Sequence, residues 1–448
     1  MTRHRLLTAA VAVTAATTAI SLPATAHAAP RKPARAHDFN GDGRQDIAVG
    51  VPAKRTVAVS YGRKKQKLTS GRTGFGTALA SADFDRDGYA DLAVAGQGAV
   101  TLVYGTSKGL GKRKLIIAVG AGTIAAKSLA TGDFDGDRNI DLVATAGDAY
   151  WVFRNTGRGR FQGTRTVPVV LDAELAQTST YAPVAGDFNG DRRTDLVLLP
   201  GGTSRSGPGE SGDPILRADG SPTGLGPAVA TGRTAGDTGV AGDLNGDGYA
   251  DLVRGGNMLR WDSPDRGDVI ISYGGANGFT RERIFNQDTP GVPWAVLPDT
   301  SENFGDALAI GDLNKDGYAD VVVGDPFDKD GRYDPKKGYT GFDRPGYGSV
   351  TVLYGSRSGL TTKRAQRFTL GSRGVPGKGR DRDGFGTALA LLDLGGDRRP
   401  ELVAGAPGIG TVVILRNLKG RLSGPGSTAL RPSAFKLRAP AFGTVVSR

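Results

Sequence analysis

Phe304–Pro326 reads FGDALAIGDLNKDGYADVVVGDP, and Asp312, Asn314, Asp316 and Asp320 fall at positions 1, 3, 5 and 9 of a nine-residue loop inside it. A hard cation such as Ca²⁺ takes about six to eight oxygens, and short acidic side chains at alternate positions can converge on one point. Tyr318 at position 7 adds a backbone carbonyl, and Gly317 at position 6 permits the positive-φ turn that wraps an ion. Ala307, Leu308 and Ile310 precede the loop and Val321, Val322 and Val323 follow it, so the stretch reads strand, ion loop, strand.

The loop recurs, opening at Asp38, Asp83, Asp133, Asp187, Asp243, Asp312 and Asp393, each time before a short β-branched or Leu-rich run. One such segment is an ordinary Asp/Asn/Gly turn; seven in register signal a repeat architecture with insertions between units. Position 7 counts through its carbonyl. The first candidate ligand set is then Asp38, Asn40, Asp42, Arg44 and Asp46, and the second is Asp83, Asp85, Asp87, Tyr89 and Asp91. Asp133, Asp135, Asp137, Asn139 and Asp141 follow, then Asp187, Asn189, Asp191, Arg193 and Asp195, then Asp243, Asn245, Asp247, Tyr249 and Asp251. Asp312, Asn314, Asp316, Tyr318 and Asp320 make the sixth set.

Residues 1–28 read as a secretory signal: Arg3 and Arg5, an apolar run from Leu6 to Leu22, then Ala26-His27-Ala28 before the expected cleavage. Residues 29–37 read as a linker and 38–448 as one repeat domain. There is no cysteine, so disulfides, thiolate metal sites and a lipid-anchored N-terminus are excluded. No later stretch has the roughly 20 continuous apolar residues of a membrane span, and the expectation is a secreted, extracellular, monomeric chain without a membrane anchor. The formal charge of +12 comes from scattered basic residues. No basic stripe with interleaved aromatics is present, which argues against nucleic acid as a partner.

Between the loops the pattern holds at four short strands per repeat. In the second repeat they are expected at Thr77–Ser81, Leu92–Ala95, Ala99–Tyr104 and Lys114–Val119. The third strand recurs as TVAVSYG from Thr56, AVTLVYG from Ala99, DVIISYG from Asp268 and SVTVLYG from Ser349; in the fourth repeat only Pro214–Ala218 stands in for it. Four-stranded units repeated around an axis give an all-β, seven-bladed β-propeller. Phe75, Phe304 and Phe385 open FG strands eight residues before a loop, whereas Phe442-Gly443 near the C-terminus has no loop after it. The C-terminal strand is therefore expected to close the ring in the first blade, whose edge would otherwise be unpaired.

These residues resemble the FG-GAP repeat β-propellers of integrin α-subunit heads and many secreted bacterial proteins: Phe385-Gly386 to Gly405-Ala406-Pro407 carries both halves of the name. The resemblance implies seven blades with Ca²⁺ between the first and second strands, here about four to six ions. Arg138 and Arg192 stand where other loops have a position-6 glycine, and weaker binding is expected there. The seventh loop has Gly395, Arg398 and Glu401 at positions 3, 6 and 9; it is expected to be empty, with Arg398 as part of its counter-charge. Asp325, Asp328, Asp330 and Asp334 are an irregular candidate for an eighth site, with a solvated acidic loop the simpler reading.

The family topology places the long insertions 200–213, 255–267, 285–302, 325–347 and 371–383 on the face opposite the ion loops. They carry Trp261, Trp294, Tyr339, Phe342, Arg344 and Tyr347, the aromatic and arginine types of a binding patch; the alternative is that these rings cover their own loops. The leading function is an extracellular interaction module for a protein or cell-surface glycan. The alternatives are a propeller-scaffold carbohydrate-active enzyme (glycan lyase or glycosidase) and a purely structural wall or coat protein. With His37 the one histidine past the signal, and five unclustered glutamates, the sequence argues against an enzyme.

Overall fold

The computed structural model describes residues 33–119, 129–146, 149–166, 180–201, 214–233, 236, 238–256, 267–293, 303–328, 332–334, 338–340, 348–380 and 382–447. The expected signal lies outside them. Among the described residues seven four-stranded antiparallel sheets stand in chain order, with two additional two-stranded hairpins. In the second blade the strands are Leu79–Ala82, Asp91–Gly96, Ala99–Val103 and Lys114–Ala118, hydrogen-bonded in that order from axis to rim. Pro214–Ala218 is the third strand of the fourth blade, as its weak pattern suggested. No helix of the described residues is long and apolar enough to cross a membrane.

The burial of each strand follows from its radius. Second and third strands are covered by both neighbouring blades, so DLAVAG and AVTLV are buried throughout and read as continuous apolar runs. The outermost strand faces water on one side, so KLIIA alternates between exposed and half-buried. First strands converge on the axis and are made of small residues, as in Leu79–Ala82 and Thr238–Gly242. They surround an axial cavity of about 350 Å³ lined by Ala80, Thr131, Ala185, Ala241 and Leu392, with Ala36 and His37 at one end.

The FG and GAP halves of the repeat meet across blades. A Cβ on Gly324 of the sixth blade would overlap the carbonyl oxygen of Gly386 in the seventh, and the same holds for Gly405 and Gly443. Gly386 and Gly443 have φ of 99° and 102°, which a side chain would strain. Phe385 and Phe442, which precede these glycines, are buried, as are Phe75 and Phe304 before Gly76 and Gly305.

The Gly405–Gly443 contact belongs to the ring closure. Val445–Val446 pairs antiparallel with Ile47–Val51, Val446 opposite Val49 and Val445 opposite Gly50. The terminal strand thus becomes the innermost strand of the first blade. Residues 34–37, expected to be linker, are docked instead. The Ala34 N–H donates to Asp83 Oδ2 at 2.8 Å, Arg35 pairs with Asp393 at 2.8 Å and His37 Nε2 bonds Ser447 Oγ at 2.8 Å. Burial pushes the His37 imidazole down to about 4, so it is neutral at physiological pH.

Candidate metal centre

Six of the nine-residue loops connect the first strand of a blade to its second, the loop at Asp38 leads from the N-terminal segment into the second strand of the first blade, and antiparallel alternation puts all seven on one face of the ring. Each loop is folded by its own carboxylates. The position-1 aspartate accepts the position-6 N–H: Gly43 to Asp38 at 3.0 Å, Gly317 to Asp312 at 3.0 Å, Arg138 to Asp133 at 2.9 Å and Arg398 to Asp393 at 2.8 Å. The position-5 aspartate accepts the position-7 N–H, as from Tyr318 to Asp316 at 3.1 Å. These bonds curl the backbone so that side-chain oxygens turn inward.

The position-9 aspartate has a further task. Asp320 Oδ2 accepts Leu313 N–H inside the loop at 2.9 Å, while Oδ1 accepts Gly355 N–H, just past the third strand, at 2.9 Å. Asp91, Asp141, Asp195 and Asp251 make the same pair of bonds in their blades. Apart from Asp195 Oδ2, which also accepts Arg217 Nη2 at 3.4 Å, each oxygen keeps a second lone pair for an ion. Burial raises these carboxyls: Asp46 and Asp91 to about 8, Asp141 and Asp320 to about 7, and Asp195 and Asp251 to about 6.

Two loops bring three carboxylates within 4.8 Å of one another: Asp83, Asp85 and Asp91, and Asp133, Asp135 and Asp141. Asp85 Oδ1 and Asp133 Oδ1 are buried with no hydrogen-bond partner. A buried acceptor left without a donor is costly, and a hard cation is the species that fits such an oxygen. The residues present therefore fit a divalent ion. These loops carry aspartate at position 3 where four others carry asparagine, and each has an arginine on that extra charge: Arg113 on Asp85 at 2.6 Å and Arg154 on Asp135.

Three expectations change. Arg138, Arg192 and Arg398 adopt the position-6 turn with φ of 69°, 68° and 64°, so glycine is not required to shape the loop. The cost of about 1 kcal/mol for a non-glycine left-handed residue is borne in folding. In the seventh loop Asp393 is answered by Arg35 rather than Arg398, a contact made by the N-terminal segment that no local pattern encodes, while Asp397 faces Arg399 at 3.8 Å. Asp325 and Asp328 are buried rather than solvated, and Asp328 Oδ1 has no hydrogen-bond partner. Asp325 accepts Gln287 Nε2 at 2.8 Å, and Asp328 accepts Arg367 Nη2 at 2.6 Å. Asp330 and the side chain of Asp334 lie outside the described residues.

Sequence reasoning missed position 4. It takes positive φ in every loop, including Arg86 at 57° and Lys315 at 63°. Where it is glycine, the position-7 side chain of the next loop lies over it. A Cβ on Gly41, Gly190 or Gly246 would come within 2.8 Å of the ring of Tyr89, Tyr249 or Tyr318. The co-occurrence of Gly at 4 with Tyr at 7 one repeat later is the signal that was available. The loops are also joined by backbone bonds from position 8 to the position-1 carbonyl of the preceding loop: Ala90 to Asp38, Thr194 to Asp133, Ala250 to Asp187 and Ala319 to Asp243, at 2.8–2.9 Å. Gln45 to Asp393, at 2.9 Å, carries the belt across the ring closure.

Of the candidate ligand-face residues, Trp261, Trp294, Phe342, Arg344 and Tyr347 lie outside the described residues. Tyr339 is described only as backbone in the hairpin Arg332–Asp334 with Gly338–Thr340.

Comparison with known proteins agrees with this geometry. A model described as FG-GAP-like repeat matches residues 38–94, 83–144 and 133–198, and the FG-GAP repeat model matches 304–353. The chain is an FG-GAP repeat β-propeller. It is 31% identical over 254 residues to integrin alpha pat-2 of Caenorhabditis briggsae, covering 52% of this chain and 18% of that one. It is 29% identical over 166 residues to integrin alpha-7 of Rattus norvegicus, covering 37% and 12%. Human phosphatidylinositol-glycan-specific phospholipase D matches at 36% over 114 residues, 23% of this chain and 11% of that one. The FG-GAP chain thus spans less than a fifth of the length of these relatives. In fold it is similar to a lectin of Agrocybe aegerita that recognises non-reducing terminal N-acetylglucosamine, with a TM-score of 0.56, 16% identity and coverage of 90% and 94%.

Proposed function

We propose that this propeller is an extracellular, Ca²⁺-stabilised interaction module, exported by its first 28 residues, that binds a protein or cell-surface glycan as a monomer. The observation that carries the ion is the buried, partnerless carboxylate oxygen in each of the two Asp-rich loops. Support for an extracellular binding role comes from the integrin α relatives. Residues at positions 1, 3, 5 and 9, with the position-7 carbonyl, would hold each ion. Bound there, it supplies positive charge against clustered carboxylates. The chain's own residues then do the structural work. Position 9 ties the loop to the third strand, and position 8 ties it to the preceding blade, so an ordered loop braces two blades at once.

We assign the ligand to the face opposite the ion loops, the side on which the second and third strands of a blade are joined. Of the side chains a catalytic reading would draw on, His37 is buried and bonded to Ser447, and Glu282 is engaged by Arg254 and Ser272.

Titration of the chelated protein with Ca²⁺, following bound ions and melting temperature together, tests the proposal. Uptake of four to six ions with a rise in melting temperature is expected, since an ion that binds only the folded state stabilises it by mass action. No uptake and no thermal shift would overturn the ion assignment.

A further inference from the structure

On the ion-loop face, three blade junctions are filled by a tyrosine from the end of a third strand. Tyr61 reaches the next blade through Leu110 N–H at 2.8 Å, Tyr104 through the Gly159 carbonyl at 3.0 Å and Tyr273 through Leu360 N–H at 3.1 Å. The following glycines, Gly109, Gly159 and Gly359, leave no room for a Cβ against those rings. Basic side chains at the same rim lie over the rings: Lys64 at 5.4 Å, Arg113 at 3.9 Å and Arg281 at 4.2 Å from the centroids.

The junction between blades six and seven is built differently. Tyr354 bonds Gln366 of its own blade at 2.8 Å, as Tyr61 bonds Gln66 at 2.5 Å, but among the described residues no N–H of the next blade donates to its hydroxyl. The facing turn is a tight hairpin in which Lys419 and Gly420 take φ of 54° and 88°, closed by Leu418 and Arg421 bonding each other's backbone. At this junction lies a cavity of about 460 Å³, within the range of small-ligand sites, roughly 300–1,000 Å³. Lys363, Arg364, Lys419 and Arg421 line it, all exposed, and none makes a side-chain ion pair or hydrogen bond among the described residues. Four unpaired cations around one concavity focus a positive field. The hydroxyls of Tyr354, Ser356 and Thr361 lie between them, with Asn314 and Asp316 of the sixth ion loop forming the remaining wall.

We propose that this inter-blade cavity binds an acidic sugar, a saccharide unit carrying a carboxylate or sulfate. The cations pair with the acid group and the hydroxyls and the Asn314 amide serve the sugar hydroxyls. Two arginines favour a planar or tetrahedral oxyanion that accepts paired N–H donors. Asp316 opposes an anion, and an ion held by its loop removes that opposition, so affinity rises with Ca²⁺. The site is separate from the insertion-bearing face and its failure would leave the ligand proposed there untouched.

The test is calorimetric titration of the full chain with a galacturonate hexasaccharide and with its fully methyl-esterified counterpart, at fixed ionic strength. One equivalent of the acidic oligosaccharide binds and the ester does not. Arg364→Gln with Arg421→Gln weakens binding about tenfold or more, the loss expected for two charge-assisted contacts, and Lys419→Asn, which suits left-handed backbone, weakens it independently. Lys112→Gln with Lys114→Gln removes the same charge from the rim of the second blade and leaves affinity unchanged. An equal loss in that control would show diffuse attraction and overturn the proposal. So would equal binding of the ester, displacement by inorganic phosphate at matching concentration, or no binding at all.

Discussion

Replacing Asp320 by alanine separates the structural and ion-binding roles of position 9. The side chain is fully buried, and its two oxygens accept the N–H groups of Leu313 and Gly355, each at 2.9 Å. Truncation leaves two buried donors without acceptors, each costing about 1–3 kcal/mol. The expected loss is therefore about 2–6 kcal/mol in the chelated protein, before any ion is considered. Asp316→Asn is the contrast. Its carboxylate lies on an exposed part of the loop and the amide oxygen can still accept the Tyr318 N–H, so the chelated protein loses about 1 kcal/mol or less and only the Ca²⁺-dependent increment falls. The assay is denaturant unfolding of wild type and both variants, with chelator and with saturating Ca²⁺. A chelated Asp320→Ala protein within about 1 kcal/mol of wild type would refute the two-amide reasoning.

The pH dependence follows from the same carboxylates. Burial raises Asp46 and Asp91 to about 8, and Asp141 and Asp320 to about 7, from an ordinary 3.8. A raised folded-state value means the folded protein holds protons that the unfolded chain has released. This contribution is complete below about 4 and is lost as pH climbs through 7 to 8. Chelated protein should therefore melt lower at pH 8.5 than at pH 6, the gap closed by Ca²⁺ should widen with pH, and Ca²⁺ binding near pH 7 should release protons; a flat melting profile would count against the buried carboxylates. Gly246→Ala places a methyl 2.8 Å from the Tyr318 ring at φ of 74° and should cost about 1–3 kcal/mol. The companion change Tyr318→Ser should relieve part of that loss in a double-mutant cycle, and strict additivity would sink the inter-loop packing.

What the sequence determined by itself was the part of the molecule written in local patterns. Seven Asp-rich loops in register, continuous apolar second and third strands, and FG glycines at constant spacing lead to a seven-bladed ring, because alternation and turn chemistry are read within about a dozen residues. The orphan FG strand at Phe442 even indicated how the circle closes. The tertiary structure decided whatever depends on residues far apart in the chain. Arg35 rather than Arg398 answers Asp393, some 350 positions away, and His37 is buried against Ser447 instead of lying in a linker. The position-4 glycines answer to position-7 side chains one repeat later, tyrosines at Gly41, Gly190 and Gly246, and a cavity lies between blades six and seven where the Lys419–Gly420 hairpin faces Tyr354. Local propensity sets the strands and loops. Which charges and rings meet is settled only when the blades are packed around the axis, since those contacts are made across the ring and not along the chain.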